Sequence, residues 1–141
     1  MVTECLYQKL VELDPERRSG QDIVIDHWRA RGHALQGLRM EDGSGLARAD
    51  YIRPRDLAKV LWLVRRGTHG EAYADTPNPQ HDGKLFWKGG AMSKVRAYAG
   101  YTDHGYTFAL MINRYESDSE TLANWRGKLM ETLLRLPPAF E

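Results

Sequence analysis

Four stretches of the chain carry apolar residues at the spacing of an amphipathic helix. The first predicts a helix over residues 3–13, capped by Thr3, with Leu6, Leu10 and Leu13 as its buried face. The other predicted helices cover about residues 20–31, Pro54 to Gly67, and Ser117 to Pro137. Each of them has one apolar side, so each is expected to pack against another element.

Polar residues at the helix starts support two of these predictions. Ser19 and Asp22 resemble a capping box before the second helix, and Ser117 and Glu120 form one before the last. The expected buried face of the last helix consists of Leu122, Trp125, Leu129 and Leu133. Its end is expected at the two prolines that follow residue 136.

Three segments between the last two helices favour strands, because apolar and polar residues alternate or flank an apolar run. They are Lys84 to Lys88, residues 95–101 and residues 106–113. Residues 67–83, rich in glycine and proline, are expected to form a surface loop, and residues 103–105 a tight hairpin turn. The sequence thus predicts an α+β fold, with an antiparallel sheet of about three strands and helices packed on it, as a single domain over 1–141.

Composition excludes several classes of protein. The chain has 20 Lys and Arg against 19 Asp and Glu, a net charge of +1, which argues against a nucleic-acid grip. No apolar run is long enough to span a membrane, and no signal peptide is expected. The lone cysteine, Cys5, excludes an internal disulfide and is expected to be a buried thiol.

Residue types with catalytic potential give weak signals on their own. The five histidines have no metal-ligand spacing, so we expect no metal and no cofactor. Ser44 lies between two glycines but does not fit a nucleophile elbow. Its hydroxyl is expected to tie down a tight loop with Asp42, although an ordered glycine-rich loop can also line a site.

Lys88, Gly89 and Gly90, followed by Ala91, end a predicted strand. Paired glycines allow a ligand or another backbone to approach closely, and the lysine offers a positive charge to an anion such as a carboxylate. The alternative is an edge strand bent at its glycines, with Lys88 solvated. Residue types alone leave both interpretations open.

Several segments taken together resemble high-molecular-weight D-alanyl-D-alanine carboxypeptidases, which are penicillin-binding proteins. The resemblance rests on the Asp-Gly-Ser-Gly-Leu stretch at Asp42, the Lys-Gly-Gly strand, Ala99-Gly100-Tyr101, and the strand that ends at Asn113. It covers most of the chain. It implies that Lys88 attracts a substrate carboxylate, that Gly90 keeps the strand low beneath the substrate, and that the Ala91 N–H is an oxyanion donor.

The resemblance implies an enzyme that removes the terminal D-Ala of peptidoglycan stem peptides through an acyl-serine, which penicillins trap. The family's Ser-x-x-Lys and Ser-x-Asn motifs are absent from these 141 residues, and Gly89 and Ala91 replace hydroxyl residues. We therefore expect the chain to be the C-terminal portion of such an enzyme, with no catalytic residues of its own and no activity alone. The resemblance implies a location in the periplasm or cell envelope.

Two functional interpretations follow. In the first, the chain binds a stem peptide or a β-lactam once an N-terminal half completes the site. In the second, it is a non-catalytic peptide-binding or assembly module that kept the fold. Either interpretation predicts self-association or binding of the N-terminal half, because a sheet without its neighbouring strands exposes apolar surface.

Overall fold

The structure is a computed structural model that describes residues 2–68, 70–74, 78–80 and 82–139. The helices are α1 (Val2–Leu13), α2 (Gly20–Arg29), α3 (Pro54–Arg66), α4 (Gly70–Ala74) and α5 (Ser119–Leu134). The strands are β1 (Asn78–Gln80), β2 (Leu85–Met92), β3 (Val95–Thr102) and β4 (Thr107–Asn113). Internal contacts divide the chain into one unit that spans Met1–Asp56 and another that spans Leu57–Glu141.

The α+β class, the antiparallel sheet and the four predicted helices are confirmed. The prediction of a plain loop over residues 67–83 is wrong, because α4 and β1 lie inside that range. Both elements are too short to show a hydrophobic period, so no local pattern predicts them. None of the helices that the structure describes is both long and apolar enough to cross a membrane.

The caps of two helices differ in how well the sequence anticipated them. Ser19 caps α2 as expected, and its hydroxyl oxygen accepts the Asp22 N–H at 3.1 Å. The cap of α5 is Asp118 rather than Ser117, with its carboxylate accepting the Thr121 N–H at 2.7 Å. A carboxylate is as good an N-cap as a hydroxyl, so α5 loses no capping stabilisation by beginning one residue later than predicted.

The sheet has the strand order β1-β2-β3-β4, with every neighbouring pair antiparallel. Two hairpins join its three long strands. The first turns at residues 93–94, between the paired Met92 and Val95. The second is the predicted turn at residues 103–105, where the Gly105 N–H donates to the Thr102 carbonyl oxygen at 3.2 Å. Gly105 has φ +92°, a backbone conformation that glycine adopts without strain.

Side chains of the sheet alternate between two faces, and α5 packs on one of them. We call this the back face; its core consists of Leu85, Phe108 and Met130 of α5, with Trp87, Tyr98, Leu133 and Leu134 packed against it. The opposite side is the front face. Cross-strand rows on the front face are Phe86–Tyr101–Thr107, Lys88–Ala99–Ala109 and Gly90–Ala97–Met111.

Helix α1 buries a different side from the one predicted. Leu6, Leu10 and Leu13 are exposed, whereas Tyr7 is buried. Added Cβ atoms at Gly20 and Gly43 would overlap Tyr7, which explains why glycines stand there. The Tyr7 hydroxyl also donates to the Met40 carbonyl oxygen at 3.1 Å. One large aromatic ring thus determines the packing of α1, where the sequence suggested a leucine stripe.

Cys5, which we expected to be buried, is also exposed. It follows Glu4 on α1 and precedes the exposed Leu6. The orientation of α1 that exposes its leucines therefore also exposes this thiol.

An ion pair connects the end of α1 to α2. The carboxylate of Asp14 accepts the backbone N–H of Arg18 at 2.9 Å and its guanidinium Nη2–H at 2.6 Å. Another nitrogen of the Arg18 guanidinium lies 3.1 Å from the Asp26 carboxylate on α2. The hydrogen bonds from the Arg18 side chain and backbone lower the pKa of Asp14 from 3.8 to about 2.

We predict that this pair contributes to stability above pH 4 and loses its contribution as the pH falls. A folded pKa below the unfolded value means that folding favours the ionised carboxyl, so the stabilisation disappears between pH 3.8 and about 2. Asp14→Asn should lower the urea midpoint at neutral pH and flatten its decline in that acid range. Glu16→Gln, the same change of charge on an exposed neighbour of Arg18, is the control; an equal flattening there would contradict the assignment.

Candidate functional site

The residues predicted to bind substrate all lie on β2, which continues straight past its glycine pair to Met92. Lys88, Gly89, Gly90 and Ala91 are exposed, and each has a partner on β3. Lys88 pairs with Ala99, a residue with a small side chain. The four residues therefore form a continuous exposed stretch of regular strand.

Alternation of the strand separates the four residues into two pairs. Lys88 and Gly90 belong to the front face, and Gly89 and Ala91 to the back face. An added Cβ at Gly90 would meet no atom within 4 Å, so the front face beside Lys88 is open. At Gly89 the same atom would lie 3.1 Å from the Trp87 ring, on the back side. A ligand can therefore approach the backbone closely next to the Lys88 ammonium group.

The backbone of β2 offers unused hydrogen-bonding groups along the same stretch. The Asp103 N–H donates to the Lys84 carbonyl oxygen at 3.0 Å, which places residues 84, 86, 88, 90 and 92 in the bonded pairs with β3. The N–H and C=O groups of Gly89 and Ala91 then point away from β3. β1 pairs with residues 85–87 alone, so no strand of the described residues covers these outward groups.

This geometry suits an extended peptide. A bound chain could pair with the outward backbone groups of Gly89 and Ala91, as in strand addition at an open sheet edge. Lys88 would lie within reach of a carboxylate on that chain, because it directly precedes Gly89 on the strand. The arrangement can therefore accommodate and orient an anionic peptide end.

Cations of α3 reach the front face as well, a feature that the sequence analysis missed. The Arg65 guanidinium lies 4.0 Å from the centre of the Tyr101 ring, and that ring stacks on Phe86 at 5.0 Å. Lys88 occupies the next front-face row, about 7 Å along the strand. Arg65 therefore adds positive charge to the same face as Lys88.

A second cation–π group continues along α3. The Trp62 ring lies 3.6 Å from the Lys59 ammonium group and 4.9 Å from the Arg66 guanidinium. Trp62, Arg65 and Arg66 line a cavity of about 180 Å³ with Gly105 and Thr107. The sequence signal was present, since these cations lie three and four residues from Trp62, the spacing of neighbours on one helix face. The net charge of the whole chain, +1, does not reveal this local cluster of cations.

The loop at Asp42 belongs to the other unit and is held by its own hydrogen bonds. The Asp42 carboxylate accepts the N–H groups of Ser44 at 2.9 Å, Gly45 at 2.7 Å and Ala47 at 3.0 Å. The Ser44 hydroxyl donates to Asp42 at 3.0 Å and accepts the Leu46 N–H at 3.2 Å. Both side chains thus hold a tight turn.

The electrostatics of this turn follow from its donors. Burial alone would raise the pKa of Asp42, but the hydrogen bonds from Gly45, Ser44 and Ala47 hold that pKa below its usual value of 3.8. The Ser44 hydroxyl donates a hydrogen bond to the Asp42 carboxylate, which also accepts three backbone N–H groups. No imidazole or amine accepts a proton from Ser44 in the hydrogen bonds of the described residues, so the turn has the geometry of a structural motif.

No cluster of three metal-ligating side chains occurs among the residues that the structure describes. Two of the five histidines, His69 and His81, lie outside those residues.

Comparisons with known proteins bear on the fold. No family profile matches the chain, and no curated protein sequence matches it. Among solved structures the chain is similar to a penicillin-binding protein. That structure is penicillin-binding protein 4 from Haemophilus influenzae in complex with a β-lactam, with a TM-score of 0.73 at 18% identity. The match covers 96% of this chain and 38% of the other.

The chain therefore has a penicillin-binding-protein-like fold, and it spans well under half the length of that neighbour. At this level of identity the likeness establishes the fold alone. It agrees with the architecture that the sequence resemblance implied, namely an antiparallel sheet with helices.

Proposed function

We propose that this chain is the substrate-strand portion of a penicillin-binding-protein-like domain of the cell envelope, related to serine D-Ala-D-Ala carboxypeptidases. Strand β2 binds the carboxylate end of a peptide, of the D-Ala-D-Ala type found in peptidoglycan stems. The observation that carries the proposal is the open strand at Lys88–Ala91, with an exposed ammonium group beside outward backbone groups. The penicillin-binding-protein-like fold supports the choice of ligand.

Each residue of this strand has a distinct role in the proposal. The Lys88 ammonium attracts the carboxylate, Gly90 leaves room above the strand, and the Ala91 N–H donates to a carbonyl oxygen of the bound peptide. Such a backbone donor is the kind that stabilises an oxyanion in acyl transfer. Gly89 supplies no hydroxyl, so the carboxylate depends more heavily on Lys88.

The residues of this chain bind without acylation. No serine here has a lysine three positions later or an asparagine two positions later. Acyl transfer needs a nucleophile and a base that activates it. Carboxypeptidase activity and stable penicillin binding would therefore require those groups from polypeptide other than these 141 residues.

The test compares Lys88→Gln with Lys128→Gln, which removes an exposed charge from α5 on the other side of the sheet. Titration with a peptide ending in D-Ala-D-Ala should show saturable binding to the unmodified chain. Lys88→Gln should weaken that binding by about tenfold or more, because a charge-assisted hydrogen bond is lost. Lys128→Gln should leave it unchanged. Binding that survives Lys88→Gln would refute the role of this strand.

Intact mass after incubation with a reactive penicillin tests the absence of acylation. No adduct is expected on the chain alone. A stoichiometric adduct would overturn this part of the proposal, and peptide mapping would then identify the nucleophile, with Ser44 and Ser93 examined first.

An assembly module without peptide binding is the second candidate. The observation that favours it is Gly89 and Ala91, where hydroxyl residues are expected for carboxylate recognition. Absence of peptide binding to a folded, self-associating chain would select this function.

A further inference from the structure

The C-terminal half of α3 and the hairpin between β3 and β4 form the walls of a small cavity. Its volume is about 180 Å³, and its lining consists of Trp62, Arg65 and Arg66 from the helix with Gly105 and Thr107 from the hairpin. Both walls belong to the unit that contains the sheet. None of the lining side chains is acidic, so the cavity is positively charged.

The two arginines of this cavity have no carboxylate partner within the described residues. Five arginines elsewhere in that part of the chain contact a carboxylate: Arg18, Arg29, Arg39, Arg53 and Arg135. Arg65 instead lies 4.0 Å from the centre of the Tyr101 ring, and Arg66 lies 4.9 Å from that of Trp62. A ring contact holds a guanidinium in place without supplying an oxygen acceptor, so the N–H donors stay available for an anion.

Thr107 adds a hydroxyl group to the same cavity. It is the first residue of β4, and its hydroxyl forms no hydrogen bond in the part of the chain that the structure describes. The acidic residue of the hairpin, Asp103, lies 3.6 Å from the His104 imidazole. The cavity thus combines two guanidinium groups and one hydroxyl without a carboxylate in its lining.

These groups suit a phosphate better than a carboxylate. A phosphate monoester carries a charge of about −1.5 to −2 at pH 7 and has three strong acceptor oxygens. Two guanidinium groups match that charge, and with the hydroxyl they supply a donor group for each oxygen. A carboxylate has a single charge and two oxygens, so it would leave one cation without a partner.

We propose that the cavity between α3 and the β3–β4 hairpin binds a phosphate group, held by Arg65, Arg66 and Thr107. Lys88 does not line this cavity, so the site does not depend on the proposed peptide binding. The phosphate group belongs either to a soluble phosphate ester or to a phospholipid headgroup, because both present the same oxygens.

The first experiment is a titration with inorganic phosphate at neutral pH and constant ionic strength. It follows the NMR signal of the Trp62 indole N–H, which Trp62→Phe identifies, because this ring lines the cavity. The signal should shift in a saturable way. Arg65→Gln and Arg66→Gln should each raise the dissociation constant by about tenfold or more, since a charge-assisted hydrogen bond is lost. Thr107→Val, which removes a neutral donor, should raise it by about two- to tenfold.

Arg55→Gln is the matched control, because it removes the same charge from an exposed position of the same helix. Residue 55 precedes residue 65 by ten positions, about 15 Å along the helix axis, which exceeds the screening length of about 8 Å at physiological salt. The control should leave the dissociation constant unchanged. Arg66 is exposed, so Arg66→Gln keeps the test decisive even where loss of the Arg65–Tyr101 contact unfolds the chain. Circular dichroism checks the fold of each variant.

Acetate distinguishes a phosphate site from a carboxylate site. An acidic side chain of other polypeptide would present a carboxylate to this cavity, and acetate has the same group. Acetate should bind at least about tenfold more weakly than phosphate, because it has fewer charges and oxygens. Equal affinities would assign the cavity to a carboxylate and overturn the proposal.

Vesicles identify the source of the phosphate group. Co-sedimentation with phosphatidylcholine vesicles is compared with and without phosphatidic acid, whose headgroup is a phosphate monoester. Binding that requires phosphatidic acid and is lost in Arg66→Gln would indicate a lipid headgroup. A response to inorganic phosphate without vesicle binding would indicate a soluble ester.

Three further results would overturn the proposal. They are a Trp62 signal that phosphate does not shift, a dissociation constant that neither arginine substitution raises, and an equal increase in Arg55→Gln.

Discussion

Gly100→Ala is expected to lower the unfolding free energy of the unit that spans Leu57–Glu141 by about 2 to 3 kcal/mol. This is the cost typical of forcing an extra methyl group into a packed region. Gly100 lies in the middle of β3, opposite Trp87. An added Cβ would lie 1.9 Å from the Phe86 carbonyl oxygen and 2.7 Å from the Trp87 Cα. Both obstacles are backbone atoms of β2, so no side-chain rotation relieves the clash. The strands would have to separate at this point.

Urea unfolding followed by tryptophan fluorescence measures this effect, since Trp87 lies beside the substitution. Gly90→Ala is the matched control in the neighbouring strand, because its added Cβ meets no atom within 4 Å. The control should be neutral or stabilise by less than about 1 kcal/mol. Similar losses in both variants would mean that glycine is needed at β2 and β3 for backbone conformation rather than for space.

The long strands were predictable because alternation of apolar and polar residues is a local property. Residues 95–101 and 106–113 gave β3 and β4 to within one residue at each end. β2 runs further than predicted, to Met92, since pairing along the whole of β3 outweighs the weak strand preference of two glycines. Tertiary contacts decide such a case, and no local pattern reports them.

The candidate site was predictable in its residues but not in its arrangement. The sequence singled out Lys88 to Ala91, while their division between two faces follows from the register with β3. The outward direction of the Ala91 N–H depends on which pairs of the ladder are bonded. Arg65 joins the front face through the packing of α3 on Tyr101, a contact between distant parts of the chain.

Helix faces were the least predictable feature. Leucine stripes marked one side of α1 and one side of α5, yet Leu6, Leu10, Trp125 and Leu129 are all exposed. The predicted face of α5 is partly confirmed, since Leu122 is buried and Leu133 packs against the core. The buried side continues through Met130, with Arg126 over the Trp87 ring at 5.4 Å. The long side chain of Arg126 covers apolar surface as a hydrophobic residue would. A hydrophobic pattern counts Arg126 as polar, so it does not predict this part of the buried side.

Met130→Ala and Leu129→Ala distinguish the two faces of α5 directly. Met130 is 2% exposed against Leu85 and Phe108, whereas Leu129 is 38% exposed. Removing the Met130 side chain leaves a cavity in the core and should cost about 2 to 5 kcal/mol of unfolding free energy. Leu129→Ala deletes a similar volume from the surface of the same helix and should cost less than about 1 kcal/mol.

The two substitutions are adjacent and both introduce alanine, so their difference isolates burial from helix propensity. The measurement is the urea midpoint of each variant at equal unfolding slope. The reverse order of stabilities would mean that α5 packs on the face first predicted from its leucines.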